Sequence, residues 1–201
     1  MTIKITPSTN AVSVADRAEK VAKPGFGKYY TDHMVVAEWS ETDGWSQAEL
    51  KPYGPISLDP AAMVFHYGQE IFEGLKAYRQ PDGGISLFRP QANALRFQRS
   101  AARLALPELP IETFLESLDA LVKQDAGWVP SNVGESLYLR PFMFATEVGL
   151  GVRPTNRALY MLIATPAAAY SNADHEVTVW IWMDYVRALP GGTGDAKYGG
   201  N

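Results

Sequence analysis

The chain has 201 residues, of which 46% are hydrophobic and 20% charged, a composition typical of one large globular domain or two small ones. Its net charge of -4 and its lack of cysteine argue against an unspecific nucleic-acid binder and exclude a disulfide scaffold or a thiolate-ligated metal site. It has no apolar signal segment, and its longest apolar run, residues 158–170, is too short to span a membrane, so we expect a cytoplasmic protein without membrane partners.

The first part of the chain predicts a leader followed by two pairs of strands. Residues 1–24 lack periodicity and are expected to form a mobile leader. Strands are predicted at 34–40 and 48–52, joined by a turn at Asp43-Gly44. A second hairpin is predicted from strands at 76–79 and 85–89, because the Pro-Asp-Gly-Gly between them is a strong turn signal.

Helices follow, and then further strands. Pro90 is well placed to begin a helix over residues 91–104, and apolar residues at helical spacing predict another at 111–122. Three β-rich runs follow, at 136–146, 158–165 and 177–184. Because strands and helices come in blocks and do not alternate strictly, the order favours an α+β fold over a doubly wound sheet.

The glycine-rich end, GGTGDAKYGGN at residues 191–201, surrounds Lys197. A phosphate-binding P-loop needs glycine before the lysine and serine or threonine after it, but Ala196 and Tyr198 stand there. Lys197 is therefore either an imine-forming amine, with glycines leaving room for an aromatic aldehyde, or a solvated lysine in a tail. From spacing alone, the solvated lysine is the more common case.

Arginines provide the other candidates. Arg96, Arg99 and Arg103 lie near one face of the predicted helix, where an arginine can clamp a phosphate or simply be solvated. Arg140 interrupts an apolar strand, and alternation places it on the same face as Tyr138, an arrangement suited to carboxylate recognition. The three histidines have no metal-ligand spacing, so no metal site is expected.

Five strings resemble the branched-chain aminotransferases, bacterial members included, in order and from about Phe26 to the last residue. They are FGKYYTDHM (26–34), LDPA (58–61), HYGQEIFEGLKAY (66–78), SLYLRPF (136–142) and GGTGDAKYGGN (191–201). The resemblance implies a homodimeric enzyme of fold type IV that depends on pyridoxal 5'-phosphate. It implies a small N-terminal α/β domain at 25–171 and, at 172–201, a linker and the start of the larger cofactor domain.

Residue roles are carried over from the resemblance. Lys197 matches the lysine that forms the aldimine with the cofactor, and Arg96 matches the arginine that binds its phosphate. Arg187, in the segment before the lysine, is also expected to bind the cofactor. The residues that match the substrate pocket are Phe26, Tyr67, Phe72, Tyr138, Arg140, Val152 and Tyr170. Leu150-Gly-Val152 resembles the loop that reaches the neighbouring subunit's pocket. Ser171-Asn172 departs from the family pattern, which continues here with another aromatic residue and glycines.

The implied reaction is transamination of leucine, isoleucine or valine with 2-oxoglutarate, which gives branched-chain 2-oxo acids and glutamate. The family's glutamate that pairs with the pyridine nitrogen, and half of its phosphate site, match nothing before Asn201, so we expect residues 1–201 alone to be inactive. The alternatives are another fold type IV enzyme, such as a D-amino-acid aminotransferase or an aminodeoxychorismate-lyase-like protein, and a non-catalytic dimerisation fragment.

Overall fold

The computed structural model describes residues 3–169, 176 and 178–201. Within these residues, nine strands form one sheet. The strands are β1 (Lys4–Ile5), β2 (His33–Ser40), β3 (Gly44–Trp45), β4 (Glu49–Pro52), β5 (Glu70–Phe72), β6 (Leu75–Arg79), β7 (Ile85–Leu87), β8 (Ser136–Ala145) and β9 (Arg157–Ala167). The helices are α1 (Val14–Ala22), α2 (Met63–Tyr67), α3 (Pro90–Arg103) and α4 (Ile111–Gln124), with a 3-10 turn at Ala126–Trp128.

The sheet runs in the order β1-β4-β2-β9-β8-β6-β7, with β3 paired to β2 and β5 paired to β8. Every pair is antiparallel except β1 with β4, at one edge. The long central pair, β8 with β9, runs from Ser136 opposite Ala167 to Ala145 opposite Ala158. This arrangement confirms the α+β fold.

The core lies between the sheet and helices α3 and α4. Phe97 of α3 contacts Phe114 of α4 and Tyr160 of β9, with ring centroids 5.5 and 5.9 Å apart. The Tyr160 hydroxyl is 2.7 Å from the Ser117 hydroxyl, which gives the buried phenol a hydrogen-bond partner. Because side chains alternate along a strand, Met161 points to the opposite face and packs in a smaller apolar cluster.

The two helices predicted after residue 90 are confirmed. Proline suits the first position of α3, because its missing N–H has no partner within a helix and its φ is already helical. α4 extends the expected helix by two residues and buries Phe114, Leu118 and Leu121 on one face.

Residues 3–24, within the segment predicted to be a mobile leader, contain a strand and a helix. β1 pairs with β4, and α1 begins after Ser13, whose hydroxyl accepts a hydrogen bond from the Asp16 N–H at 3.1 Å. The Val12 N–H donates to Asp32 at 2.7 Å. The pairing of β1 and the bond to Asp32 join residues distant in sequence, which local periodicity cannot reveal.

The strand predicted at 177–184 is wrong for the described residues 178–184, which form no strand. Their large apolar side chains are exposed; Trp180, Ile181 and Met183 are 77–83% accessible. Strand-like composition makes a strand only when a neighbour completes the backbone hydrogen bonds, and no described residue does so here.

Candidate functional site

Lys197 lies against β5 and α3, held by its backbone on both sides. Its N–H donates to the Ser100 hydroxyl at 2.9 Å, and its carbonyl accepts from the Phe72 N–H at 3.0 Å. Its amine lies 4.6 Å from the centre of the Phe72 ring. Lys197 is half-buried, so the structure differs from the alternative of a solvated lysine in a tail.

The rest of the glycine-rich segment docks on the same elements. Arg103 of α3 donates to the carbonyls of Gly191 and Gly192 at 3.4 and 3.1 Å. The Gly199 N–H donates to the Glu70 carboxylate of β5 at 2.5 Å. Ser100 and Glu70 were missed by sequence reasoning, because a serine in a helix and an acid at the start of a strand are both ordinary.

Arg140 lies among aromatic residues that were predicted to line a substrate pocket. Its guanidinium carbon lies 4.6 Å from the Phe72 ring centre and 5.3 Å from that of Tyr138, and its Nη2 donates to the Tyr138 hydroxyl at 2.9 Å. The Phe26 ring packs edge-on against Tyr138 at 5.2 Å. The predicted shared face of Tyr138 and Arg140 is confirmed.

No carboxylate in the described part of the chain pairs with Arg140. Its Nε is buried and has no hydrogen-bond partner there. A half-buried cation with an unused donor is costly unless an anion completes it. Arg140 and Lys197 each lie 4.6 Å from the centre of the Phe72 ring, so two cations contact one aromatic side chain.

Gly74 makes room for this cluster. A side-chain carbon added there would overlap the Tyr138 hydroxyl and lie 2.9 Å from the carbon that bears it. Since the phenol is held by Arg140 and by Phe26, it has little freedom to move aside. The glycine of the FEG string is therefore required by the close approach of a side chain from β8.

Arg96 forms an ion pair with Glu73, which sequence reasoning missed. Its Nε and Nη2 donate to the two carboxylate oxygens at 2.5 and 2.8 Å. The Glu73 side chain is 0% exposed, whereas that of Arg96 is 43% exposed. Hydrogen bonding to Glu73 raises the pKa of Arg96. A glutamate between Phe72 and Leu75 interrupts an apolar run as Arg140 does, and that signal could have found it.

Tyr67 and Val152 lie at another place, around the loop after β8. The Tyr67 hydroxyl donates to the Leu150 carbonyl, and Val152 is 87% exposed. Glu147 anchors the loop by an ion pair with Arg153 and by accepting from the Asn156 N–H at 2.7 Å. A neighbouring cleft of about 860 Å³ is lined by none of the predicted site residues.

The predicted site residues are thus only partly brought together. One cluster contains five of them, namely Phe26, Phe72, Tyr138, Arg140 and Lys197. Arg96 is joined to it through Glu73, the residue after Phe72, and lies one helical turn before Ser100. Arg187 is exposed, and Tyr170 lies outside the described residues.

Asp32 and His33, near the end of the FGKYYTDHM string, make structural contacts. Asp32 accepts from Trp128 Nε1 at 2.7 Å, and His33 Nδ1 lies 2.7 Å from the Asp125 carboxylate. The Ser8 N–H donates to His33 Nε2 at 2.8 Å, so Nδ1 carries the proton that Asp125 accepts. Burial raises the pKa of Asp125, and its bonds to His33 partly oppose this. These contacts fasten the N-terminal segment and the end of α4 to β2.

Two known proteins similar to this chain are described as certain or probable branched-chain-amino-acid aminotransferases. It is 58% identical over 202 residues to the probable branched-chain-amino-acid aminotransferase of Streptomyces coelicolor, covering 100% of this chain and 56% of that protein. It is 59% identical over 199 residues to the branched-chain-amino-acid aminotransferase of Mycolicibacterium smegmatis, covering 98% and 54%. The chain therefore spans about half the length of these relatives. No protein-family model matches it.

Solved structures give the same picture of the fold. The branched-chain amino acid aminotransferase of Escherichia coli superposes with a TM-score of 0.52 at 22% identity, covering 69% of this chain and 42% of that one. The T.th. branched-chain amino acid aminotransferase, solved with pyridoxamine 5'-phosphate, superposes with a TM-score of 0.53 at 25% identity over the same shares. None of the helices in the described residues is long and apolar enough to cross a membrane.

Proposed function

We propose that this chain supplies part of the catalytic site of a transaminase for branched-chain L-amino acids, since it belongs to the branched-chain-amino-acid aminotransferase family. The observation that carries the proposal is the position of Lys197 beside Phe72, with Arg140, which pairs with no carboxylate of the described residues, over the same ring. The second substrate is 2-oxoglutarate, and the protein works as a cytoplasmic homodimer.

The residues present fit pyridoxal 5'-phosphate. An aldehyde needs a primary amine within a defined pocket, and the Lys197 amine lies at the edge of an aromatic cluster. A phosphate needs a cation with N–H groups to spare, and the half-exposed Arg96 has them. Lys197 and Arg96 would hold the cofactor, which supplies an electron sink that stabilises negative charge at the substrate α-carbon.

The chain's own groups bind and orient the substrate and move one proton. With the cofactor held there, the Lys197 Nζ would accept the proton from the substrate α-carbon and carry it within the site, a general-base role. Its backbone bonds to Ser100 and Phe72 fix the backbone from which the amine extends toward the Phe72 ring. Holding a reacting group in place in this way lowers the barrier by removing its freedom beforehand.

Arg140 and Tyr138 explain how one pocket takes two kinds of side chain. Their donors meet the distal carboxylate of glutamate, while the rings of Phe26 and Phe72 contact the methyl groups of leucine, isoleucine or valine. Tyr170 completes the walls of this pocket, whereas Tyr67 and Val152, which lie away from it, line the partner's pocket, which the loop carrying Val152 reaches. We assign residues 25–171 to a small domain and 172–201 to the start of a second.

The experiment reduces the cofactor-loaded protein with borohydride and maps the labelled peptide, using the complete natural protein that contains these residues. We expect the adduct on Lys197, and its loss in Lys197→Arg but not in Lys76→Arg, which removes an amine from β6. An adduct retained in Lys197→Arg would overturn the assignment. Turnover of D- in place of L-leucine would favour a D-amino-acid aminotransferase instead.

A further inference from the structure

Glu73 is a fully buried carboxylate in an apolar setting, between Phe72 and Gly74. Its oxygens accept from Arg96 Nε and Nη2, from Asn93 Nδ2 at 2.8 Å and from the Gly74 N–H at 3.1 Å. Arg96 is the cation that offsets its charge. A buried carboxylate with four donated hydrogen bonds is a rigid point in the structure.

The way Arg96 binds Glu73 leaves half of its guanidinium unused. Glu73 takes the side-on edge, formed by Nε and Nη2. Within the part of the chain that the structure describes, the Nη1 hydrogens and the remaining Nη2 hydrogen have no acceptor. A guanidinium is planar, so fixing one edge also fixes the direction of the other. The unused edge is on a side chain that is 43% exposed.

The same short stretch of chain anchors Lys197. Phe72 binds the Lys197 carbonyl through its N–H, and the next residue, Glu73, binds Arg96. On α3, Arg96 lies one turn before Ser100, which binds the Lys197 N–H. The two cations that would hold the ends of one cofactor are therefore fastened to adjacent residues, Phe72 and Glu73, and to adjacent turns of one helix.

We infer that Glu73 is a positioning residue, which holds the guanidinium of Arg96 so that its free edge binds the phosphate of the cofactor. This rests on the proposed function, because Arg96 is taken to be the phosphate ligand. Glu73 itself does not touch the cofactor. Its effect is to remove in advance the freedom that a long arginine side chain would otherwise lose on binding phosphate.

The test compares the dissociation constants of pyridoxal 5'-phosphate and of pyridoxal, which lacks the phosphate, in the complete natural protein. Both aldehydes can react with Lys197, so their ratio isolates the phosphate contact. In Glu73→Gln, the amide turns a donor toward one Arg96 N–H and breaks the two-point bond. We expect the preference for the phosphorylated aldehyde to fall about tenfold, roughly 1.4 kcal/mol, with pyridoxal binding unchanged.

Matched controls separate this effect from general damage. Arg99→Ala removes an exposed arginine from the same helix, and Glu112→Gln neutralises an exposed acid on α4; both should keep the preference. If Glu73→Gln does not fold, Glu73→Asp keeps the charge but withdraws it by one methylene, and should also lower the preference.

The outcomes distinguish the phosphate site at Arg96 from the positioning role of Glu73. A wild-type protein with no preference for the phosphorylated aldehyde would refute the phosphate site itself. A preference that falls in Arg96→Lys but stays intact or rises in folded Glu73 variants would keep that site and refute the positioning role of Glu73.

Discussion

Asp125 and Glu73 are both buried carboxylates, but their partners differ. Asp125 binds His33, whose two ring nitrogens are both in use, one toward Asp125 and one toward Ser8. Glu73 binds Arg96, whose outer edge has no acceptor among the described residues. The His33 side chain is 4% exposed, whereas that of Arg96 is 43% exposed.

This difference indicates that Asp125 has a structural role, whereas Glu73 supports a ligand-binding arginine. At Asp125 the carboxylate and both ring nitrogens of its partner are satisfied inside the protein, and the network fastens the N-terminal segment and the end of α4 to β2. At Glu73 the buried end is satisfied while the exposed end remains available. A buried acid thus indicates a ligand site when its partner retains unused donors at the surface.

The largest expected effect comes from removing Arg96, the cation that pairs with Glu73. Arg96→Ala leaves the Glu73 charge buried and unpaired, so we expect the free energy of unfolding to fall by about 3 kcal/mol, the lower end for broken buried pairs because Arg96 is partly exposed. Urea unfolding measures it. The double variant Arg96→Ala, Glu73→Gln should recover most of the loss; no recovery would mean that charge burial is not the cause.

A smaller loss of stability is expected when the pair of Asp125 and His33 is broken. Asp125→Ala removes the acceptor of the His33 N–H and of its Nδ1 proton, but leaves no buried charge, so the cost is about 2 kcal/mol. Urea unfolding again provides the measurement. Asp119→Ala, an exposed acid on α4, should change stability by no more than about 0.5 kcal/mol. An equal loss in both variants would contradict a special role for the buried network.

Much of this fold could be predicted from local patterns. Alternation and turn residues predicted β2, β4, β6 and β7, and proline with helical spacing predicted α3 and α4. Patterns failed where pairing is decided by distant residues. The apolar stretch before Asp184 resembles β9 in composition, but β9 has β2 and β8 as neighbours, and no described strand borders the other stretch.

The candidate site, like the fold, could be predicted only in part from the sequence. Arg140 stands out because an arginine in an apolar strand is unusual, whereas Lys197 was singled out by the resemblance of the glycine-rich string around it. Ser100 is invisible in the sequence, since its use depends on a residue 97 positions later. Glu73 was detectable by the reasoning that selected Arg140, but its partner on α3 could be known only from the packing of that helix on β5.

A third prediction distinguishes the number of hydrogen bonds that Glu73 accepts from its positioning of Arg96. Asn93→Ala removes one neutral donor from Glu73, so the free energy of unfolding should fall by about 1 kcal/mol. The preference for the phosphorylated aldehyde should stay, because both bonds from Arg96 remain. Gln91→Ala, an exposed change nearby on the same helix, should be neutral within about 0.5 kcal/mol. A lost preference in Asn93→Ala would show that Asn93 shares the positioning role.

The smallest effect is a pH dependence at the Asp125–His33 pair. Burial is the largest influence on Asp125 and raises its pKa above the ordinary value of 3.8, against the opposing bonds from His33 and Thr31. The folded protein therefore binds the Asp125 proton more tightly than the unfolded chain does. As pH falls through the raised pKa toward 3.8, the penalty for the buried charge is relieved.

Asp125→Asn removes this titration and serves as the reference. We expect the unfolding free energy of the wild type minus that of Asp125→Asn to rise as pH is lowered from about 7 to about 4, measured by urea unfolding at each pH. Asp119→Asn, measured alongside, accounts for the loss of a surface carboxylate. A difference that falls with decreasing pH would mean that the bonds from His33 outweigh burial, so that Asp125 is stabilised as the anion.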